Sequence, residues 1–275
     1  MINLHTHTNH SLDGIYEVNE LLNICETSEI TCVSITDHNT CLAYDEIKNN
    51  QYTGKIVNGL EADALIGKET YDILCYDFNL EMVSKWVKEQ YKTIEERQNI
   101  IYHALKKICQ EKNIVLSETV PYNPKEEYAH AAIFRMLDDD FKNKNHITKI
   151  SDLYRESTIN ENFPLYLDMS IVWPTIEKVR DIIHENGGKI FLAHPFRYGT
   201  KNVEELLEEA KPWVDGIEVY NNNTEEEVDF LYHYAKENNL FMSCGSDFHG
   251  NEKHNDITVK IPNKIQEEVK VWVKK

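Results

Sequence analysis

Five short apolar segments of this chain run straight into a histidine or a carboxylate. Residues 2–4 lead to His5-Thr6-His7, 30–36 to Asp37-His38, 55–58 to Gly59-Leu60-Glu61, 189–193 to His194, and 240–244 to Gly245-Ser246-Asp247-Phe248-His249. Together with 71–76 and 216–220, the run around Glu218, these segments are short and rich in β-branched residues, as buried parallel strands are. Residues 18–27, 175–185, 203–210 and 225–238 carry apolar side chains at helical spacing, and Gly187-Gly188 stops the second of them. Alternating strand and helix means a parallel α/β barrel or a doubly wound sheet. Polar residues gathered at the C-terminal ends of successive strands favour the barrel, because sites collect on that face.

One region breaks the rhythm. Residues 80–113 read as one long helix or two short ones, 129–137 as another, and 138–162 as loop and surface. The expected organisation is a barrel formed by 1–78 and 171–275, interrupted by a mainly helical insertion over 79–170 that roofs the substrate pocket.

The strand ends carry the chemistry. His5 and His7, at i and i+2, lie on one side of a strand, and two imidazoles there can share an ion. Gly14 lets a loop return the Asp13 carboxylate over the strand end. Asp37 either orients a ligand or holds a loop. Glu61 has two oxygens with which to bridge cations. Pro195 makes a rigid exit after His194, and Arg197 can fork onto a phosphate. Asp247 and His249 repeat the i, i+2 spacing. His103, His184 and His233 fall on helical patterns and His146 and His254 in polar stretches, all read as surface or packing; His10 is read as facing solvent. A His and carboxylate donor set without Cys suits Zn, Mn or Fe. Eight ligands are too many for one tetrahedral ion, so two or three divalent metal ions are expected.

The formal net charge of -18, from 29 basic and 47 acidic residues, disfavours a nucleic-acid partner or an anionic membrane. A small phosphorylated substrate is the expected partner, since bound cations dominate the field inside a pocket. None of the six cysteines stands in a C-x-x-C pair, which fits reduced, buried thiols in a cytoplasmic protein. No signal peptide and no membrane span are expected.

These residues resemble the PHP (polymerase and histidinol phosphatase) superfamily, in its small metal-dependent phosphoesterase branch. The motifs appear in order: His5-x-His7 with Asp13, Thr36-Asp37-His38, Gly59-Leu60-Glu61, Ala193-His194-Pro195, Gly216-Ile217-Glu218-Val219-Tyr220-Asn221 and Gly245-Ser246-Asp247-Phe248-His249. They cover about residues 1–77 and 172–250. The resemblance implies an α/β fold, a distorted seven-stranded (β/α) barrel. It implies one ion held by His5, His7, Glu61 and Asp247, a second by Asp13, His38 and His249, and a third shared by Glu61 and His194. Asp72 stands where the family usually has a further His for the third ion. His130 resembles a His of the helical insertion, with Tyr128 in place of the Arg common two residues earlier. Arg197, His130 and Asn39 are the expected substrate contacts. The expected activity is hydrolysis of a phosphomonoester by a metal-bridging hydroxide, with Arg197 neutralising charge and Asp37 or His249 managing the leaving-group proton. A proofreading-type exonuclease and a non-catalytic module braced by metals are the alternatives. Substrate identity, metal identity and oligomeric state stay open.

Overall fold

In the computed structural model the described residues are 1–273, apart from 12, 48–49, 118–120, 199–201, 253 and 259. In chain order the elements are β1 (Ile2–Thr6), α1 (Val18–Thr27), β2 (Cys32–Ile35), α2 (Ala43–Glu46), β3 (Lys55–Ile66), β4 (Glu69–Tyr76), α3 (Leu80–Gln90), α4 (Ile94–Glu111), α5 (Ala129–Met136), α6 (Asp139–Lys144) and α7 (Ile150–Ile159). They continue with α8 (Ile176–Glu185), β5 (Lys189–Leu192), α9 (Val203–Ala210), β6 (Gly216–Tyr220), α10 (Glu225–Glu237), β7 (Phe241–Cys244) and α11 (Asn263–Trp272). The chain forms two compact units: 1–66, 71–89 and 175–275 in one, 67–70 and 90–174 in the other. No helix among the described residues is long and apolar enough to cross a membrane.

The first unit is an α/β barrel of seven strands in sequential order. β1, β2 and β3 pair in parallel, as do β5, β6 and β7. Backbone hydrogen bonds bring the segment after β7 back to β1: Asp247 N donates to His5 O at 2.9 Å and His7 N to Phe248 O at 2.8 Å. The seam is tight because Gly245 packs on β1; a Cβ there would sit 2.2 Å from the Cβ of His5 and 2.5 Å from its backbone nitrogen.

One strand departs from the all-parallel expectation. β3 is longer than residues 55–58 and turns directly into β4, which runs antiparallel to β5. Ile73 therefore pairs with Leu192, at the C-terminal end of β5, and Tyr76 with Lys189 at its start. The reversal puts Asp72, in the first half of its strand, at the ligand end. It sends Tyr76 to the opposite end, where Phe191 and Trp272 pack on it with ring centroids 5.4 and 5.5 Å away. Trp272 belongs to α11, which the sequence reading did not anticipate. Its indole donates to Met242 O at 2.9 Å, so a buried N–H is satisfied.

The second unit is helical. Residues 138–162 were expected to be loop, but hold α6 and α7. Asp138 caps α6 by accepting from Phe141 N, and Asp152 closes the start of α7 by accepting from Lys149 N and Thr148 Oγ1. Such caps stabilise short helices whose apolar periodicity is too brief to read. One helix of each unit starts on a clear sequence signal, the reciprocal Thr93–Glu96 box of α4 and Thr224–Glu227 box of α10. All six cysteines are free and buried.

Replacing Gly245 with Ala forces a methyl group into the β1 backbone. We expect a loss of about 1–3 kcal/mol in unfolding free energy, measured by urea denaturation.

Candidate metal centre

The ligand-type residues named from the sequence come together at one end of the barrel. His5 Nε2 and His7 Nε2 are 3.1 Å apart, each is 3.1 Å from Asp247 Oδ1, and each is 3.2 Å from Glu61 Oε2. Four donors around one divalent ion at ~2.0–2.1 Å lie roughly 3.0–3.4 Å from one another, so this spacing suits a shared cation. His38 Nδ1 lies 3.3 Å from Glu61 Oε2. His7, His38 and His249 form a second group, and His38, Glu61 and Asp72 a third. His194 Nε2 reaches Glu61 Oε1 at 3.2 Å and Asp72 Oδ2 at 3.7 Å. Asp13 Oδ2 is 3.2 Å from His249 Nε2, yet that buried nitrogen makes no hydrogen bond, and neither does His194 Nδ1. Two ligand-type atoms this close, without donor geometry, fit a shared ion better than a hydrogen-bonded pair.

The surrounding hydrogen bonds decide which imidazole nitrogen faces inward. Ser11 Oγ donates to Asp37 Oδ1 and accepts from His38 N, both at 3.0 Å. Its one proton is committed, so it accepts from His7 Nδ1 at 3.0 Å. His249 Nδ1 donates to the Asp247 carbonyl at 2.8 Å, and His5 Nδ1 to Glu218 Oε1 at 2.9 Å. All three imidazoles thus commit Nδ1 to a hydrogen-bond acceptor and turn Nε2 toward the carboxylates, where either a proton or a cation can sit.

The electrostatics have the matching sign. Burial pushes His5 down, but Glu61, then Glu218 and Asp247, outweigh it and hold its pKa well above the usual imidazole range. Burial lowers His7 too, yet hydrogen bonds to Asp247 and Glu61 raise it to about 9. Burial would raise Glu61 and Asp247; the neighbouring histidines pull both well below the carboxylate range. Asp13 falls to about 2 because His249 overcomes its partial burial. Asp72 moves the other way, raised by burial and then by Glu61 and Asp63. A cluster that draws positive charge onto buried imidazoles and crowds carboxylates together fits divalent cations. Asn39 (φ 58°) and Asp247 (φ 54°) hold left-handed backbone that Asn and Asp adopt readily, whereas His194 (φ 26°) holds a costly one.

Several expected roles change. Asp37 was a candidate for the leaving-group proton, but both its oxygens are occupied: Thr8 N and Ser11 Oγ donate to Oδ1, and Thr8 Oγ1 to Oδ2 at 2.6 Å. It ties down the loop that carries His7 and Asp13. Asn39 was an expected substrate contact, but its amide is used on Asp63, accepting from Asp63 N at 2.9 Å and donating to the Asp63 carboxylate. His130 lies in the helical unit, 5% exposed, with Nε2 3.0 Å from Ser157 Oγ; burial lowers its pKa to about 4. Arg197 pairs with Asp247 Oδ2 and is one-third exposed.

Sequence reading missed His254. Its Nδ1 is 3.6 Å from Asp247 Oδ2, and its carbonyl accepts from His249 N and Gly250 N. The available signal was its place in the loop after a barrel strand, where side chains return over the site. His10, paired with Glu46, and His184, paired with Asp215, lie away from the cluster.

A family model describing the PHP domain matches residues 3–247. The 5′–3′ exoribonuclease Rnm of Salmonella typhimurium is 25% identical over 90% of this chain and 84% of its own length, and that of Escherichia coli matches to the same extent. A 5′–3′ exoribonuclease of Haemophilus influenzae is 24% identical over 90% of this chain and 89% of its own. Among solved structures, an amidohydrolase from Chromobacterium violaceum superposes with a TM-score of 0.61 at 17% identity, covering 97% of this chain and 96% of that one. A candidate metal-dependent phosphoesterase from Bifidobacterium adolescentis gives 0.61 at 18%, covering 99% and 96%. The exoribonucleases overturn the expectation of a small-molecule partner and no nucleic acid. Net charge averages over a whole surface, and with screening over ~8–10 Å a polyanion responds to the field at the site it enters.

His7 gives a pH signature. Its raised pKa contributes stability that is complete below the ordinary 6.5 and lost as pH rises through about 9. Chelated protein should therefore show a Tm falling across that window, with a shallower fall in His7→Ala.

Proposed function

Since this chain belongs to the PHP domain family, we propose that it is a metal-dependent phosphodiesterase that removes nucleotides from an end of single-stranded RNA. The observation that carries the reading is the likeness over 90% of the chain to named 5′–3′ exoribonucleases, combined with convergence of the ligand-type groups on Glu61 and Asp247. The coarser statement, a hydrolase of phosphoester bonds with a His, Asp and Glu cluster able to bind metal ions, rests on family and geometry alone.

His5, His7, Glu61 and Asp247 would hold one ion, and His38, His249 and Asp13 a second. Glu61, His194 and Asp72 would hold a third, with Asp72 offering an oxygen in place of an imidazole. Such ions supply acidified water and neutralise charge on a phosphoryl group. Asp247 uses its two oxygens on different tasks, Oδ1 toward the imidazoles and Oδ2 toward Arg197. It thereby sets the Arg197 guanidinium beside the cluster, where the remaining N–H groups can fork onto a non-bridging phosphate oxygen. Ser11, Asp37 and the Asp247 carbonyl keep His7 and His249 in the tautomers that ligation needs.

The test is protein purified with Mn²⁺ or Zn²⁺ and offered 5′-labelled single-stranded RNA alongside mononucleotide phosphate esters. Release of mononucleotides from RNA, lowered on the order of 10²–10³-fold by His7→Ala, is expected. Arg197→Lys should retain less than a tenth of kcat/KM, since an ammonium cannot reproduce the bidentate fork. Turnover of small esters with RNA untouched would overturn the reading.

A further inference from the structure

We propose that Glu218 is the positioning residue that makes His5 a metal ligand and at the same time holds the strained turn at His194. Glu218 lies on β6, fully buried. Its Oε1 accepts from His5 Nδ1, and its Oε2 accepts from His194 N and Asn221 Nδ2, each at 2.9 Å. His194 N and Asn221 Nδ2 can only donate, and His5 Nδ1, which also lies 3.4 Å from Asn221 Nδ2, donates because the carboxylate it faces can only accept. Only an acceptor-only group satisfies all three; a glutamine would turn its own N–H₂ onto one of the donors.

The two halves of the carboxylate serve different ligands. Through Oε1 it keeps the proton of His5 on Nδ1, leaving the Nε2 lone pair among His7, Glu61 and Asp247. The opposite tautomer would point an N–H at those acceptors and exclude a cation. Through Oε2 it anchors the peptide of His194, whose φ of 26° lies outside the ordinary range, so that Nε2 reaches Glu61 Oε1. One buried side chain thus sets two imidazoles that approach opposite oxygens of Glu61. Groups that orient a ligand in this way typically change metal affinity by roughly 10–100-fold when removed.

The inference rests on the metal-dependent reading of the same cluster, and the experiment separates the two. Chelated wild type and Glu218→Gln are titrated with Zn²⁺ against a competing chelator. The tautomer of His5 is read by long-range ¹H–¹⁵N NMR in Zn²⁺-loaded wild type, assigned with His5→Gln. We expect wild-type His5 to carry its proton on Nδ1, and Glu218→Gln, folded by circular dichroism, to bind Zn²⁺ 10–100-fold more weakly. Wild type with His5 protonated on Nε2 overturns the proposal whether or not the variant folds. A folded Glu218→Gln with unchanged affinity also overturns it. Wild type that binds no metal would instead remove the functional reading on which it stands.

Discussion

Everything at the top of this barrel depends on one electrostatic demand: the Nε2 atoms of His5 and His7 lie 3.1–3.2 Å from each other and from oxygens of Glu61 and Asp247, all buried. Such an arrangement is unstable unless positive charge enters it. Protons on His5 and His7 meet the demand in one way, as their raised pKa values record; divalent cations meet it in another. The rest of the site holds the lone pairs in place against their mutual repulsion. Ser11, Asp37 and Glu218 contribute no atom to the cluster and decide how those that do are turned.

The barrel supplies the convergence. Parallel strands deliver His5, His38, His194 and Asp247 from their C-terminal ends, and the seam through Gly245 sets β1 and the Asp247 loop in direct backbone contact. The reversal of β4 is what recruits Asp72. In an all-parallel barrel a residue in the first half of a strand would face the opposite end. Here antiparallel pairing with β5 places it beside His194, and with Asp63 and Glu61 nearby that part of the site is richer in carboxylate than in imidazole.

Much of this was legible in the sequence. The strand-end pattern marked the residues that converge, and i, i+2 spacing set His5 beside His7. Other features were hidden for physical reasons. The short helices α6 and α7 lie in polar sequence; α6 buries no side chain and the apolar spacing of α7 is brief, so their caps at Asp138 and Asp152 mark them best. α11 follows the last motif and is held through Trp272 against Phe191 and Tyr76, the latter nearly 200 positions away in sequence. His254 looked like any histidine in a polar stretch until the loop folded back onto Asp247.

By itself the sequence determined which residue types could bind a cation and that they sit at strand ends, because both follow from local chemistry and local periodicity. The tertiary structure alone decided how each group is used. Asp37, offered by the sequence as orienter, loop holder or proton carrier, has its oxygens engaged by Thr8 and Ser11, and Asn39, an expected substrate contact, has its amide engaged by Asp63. Glu218 read like one strand residue among others and meets donors from β1 and from the turn after β5, with Asn221 beside it. A side chain's role depends on which partners take up its hydrogen-bonding capacity, and those partners are brought together only when the barrel closes.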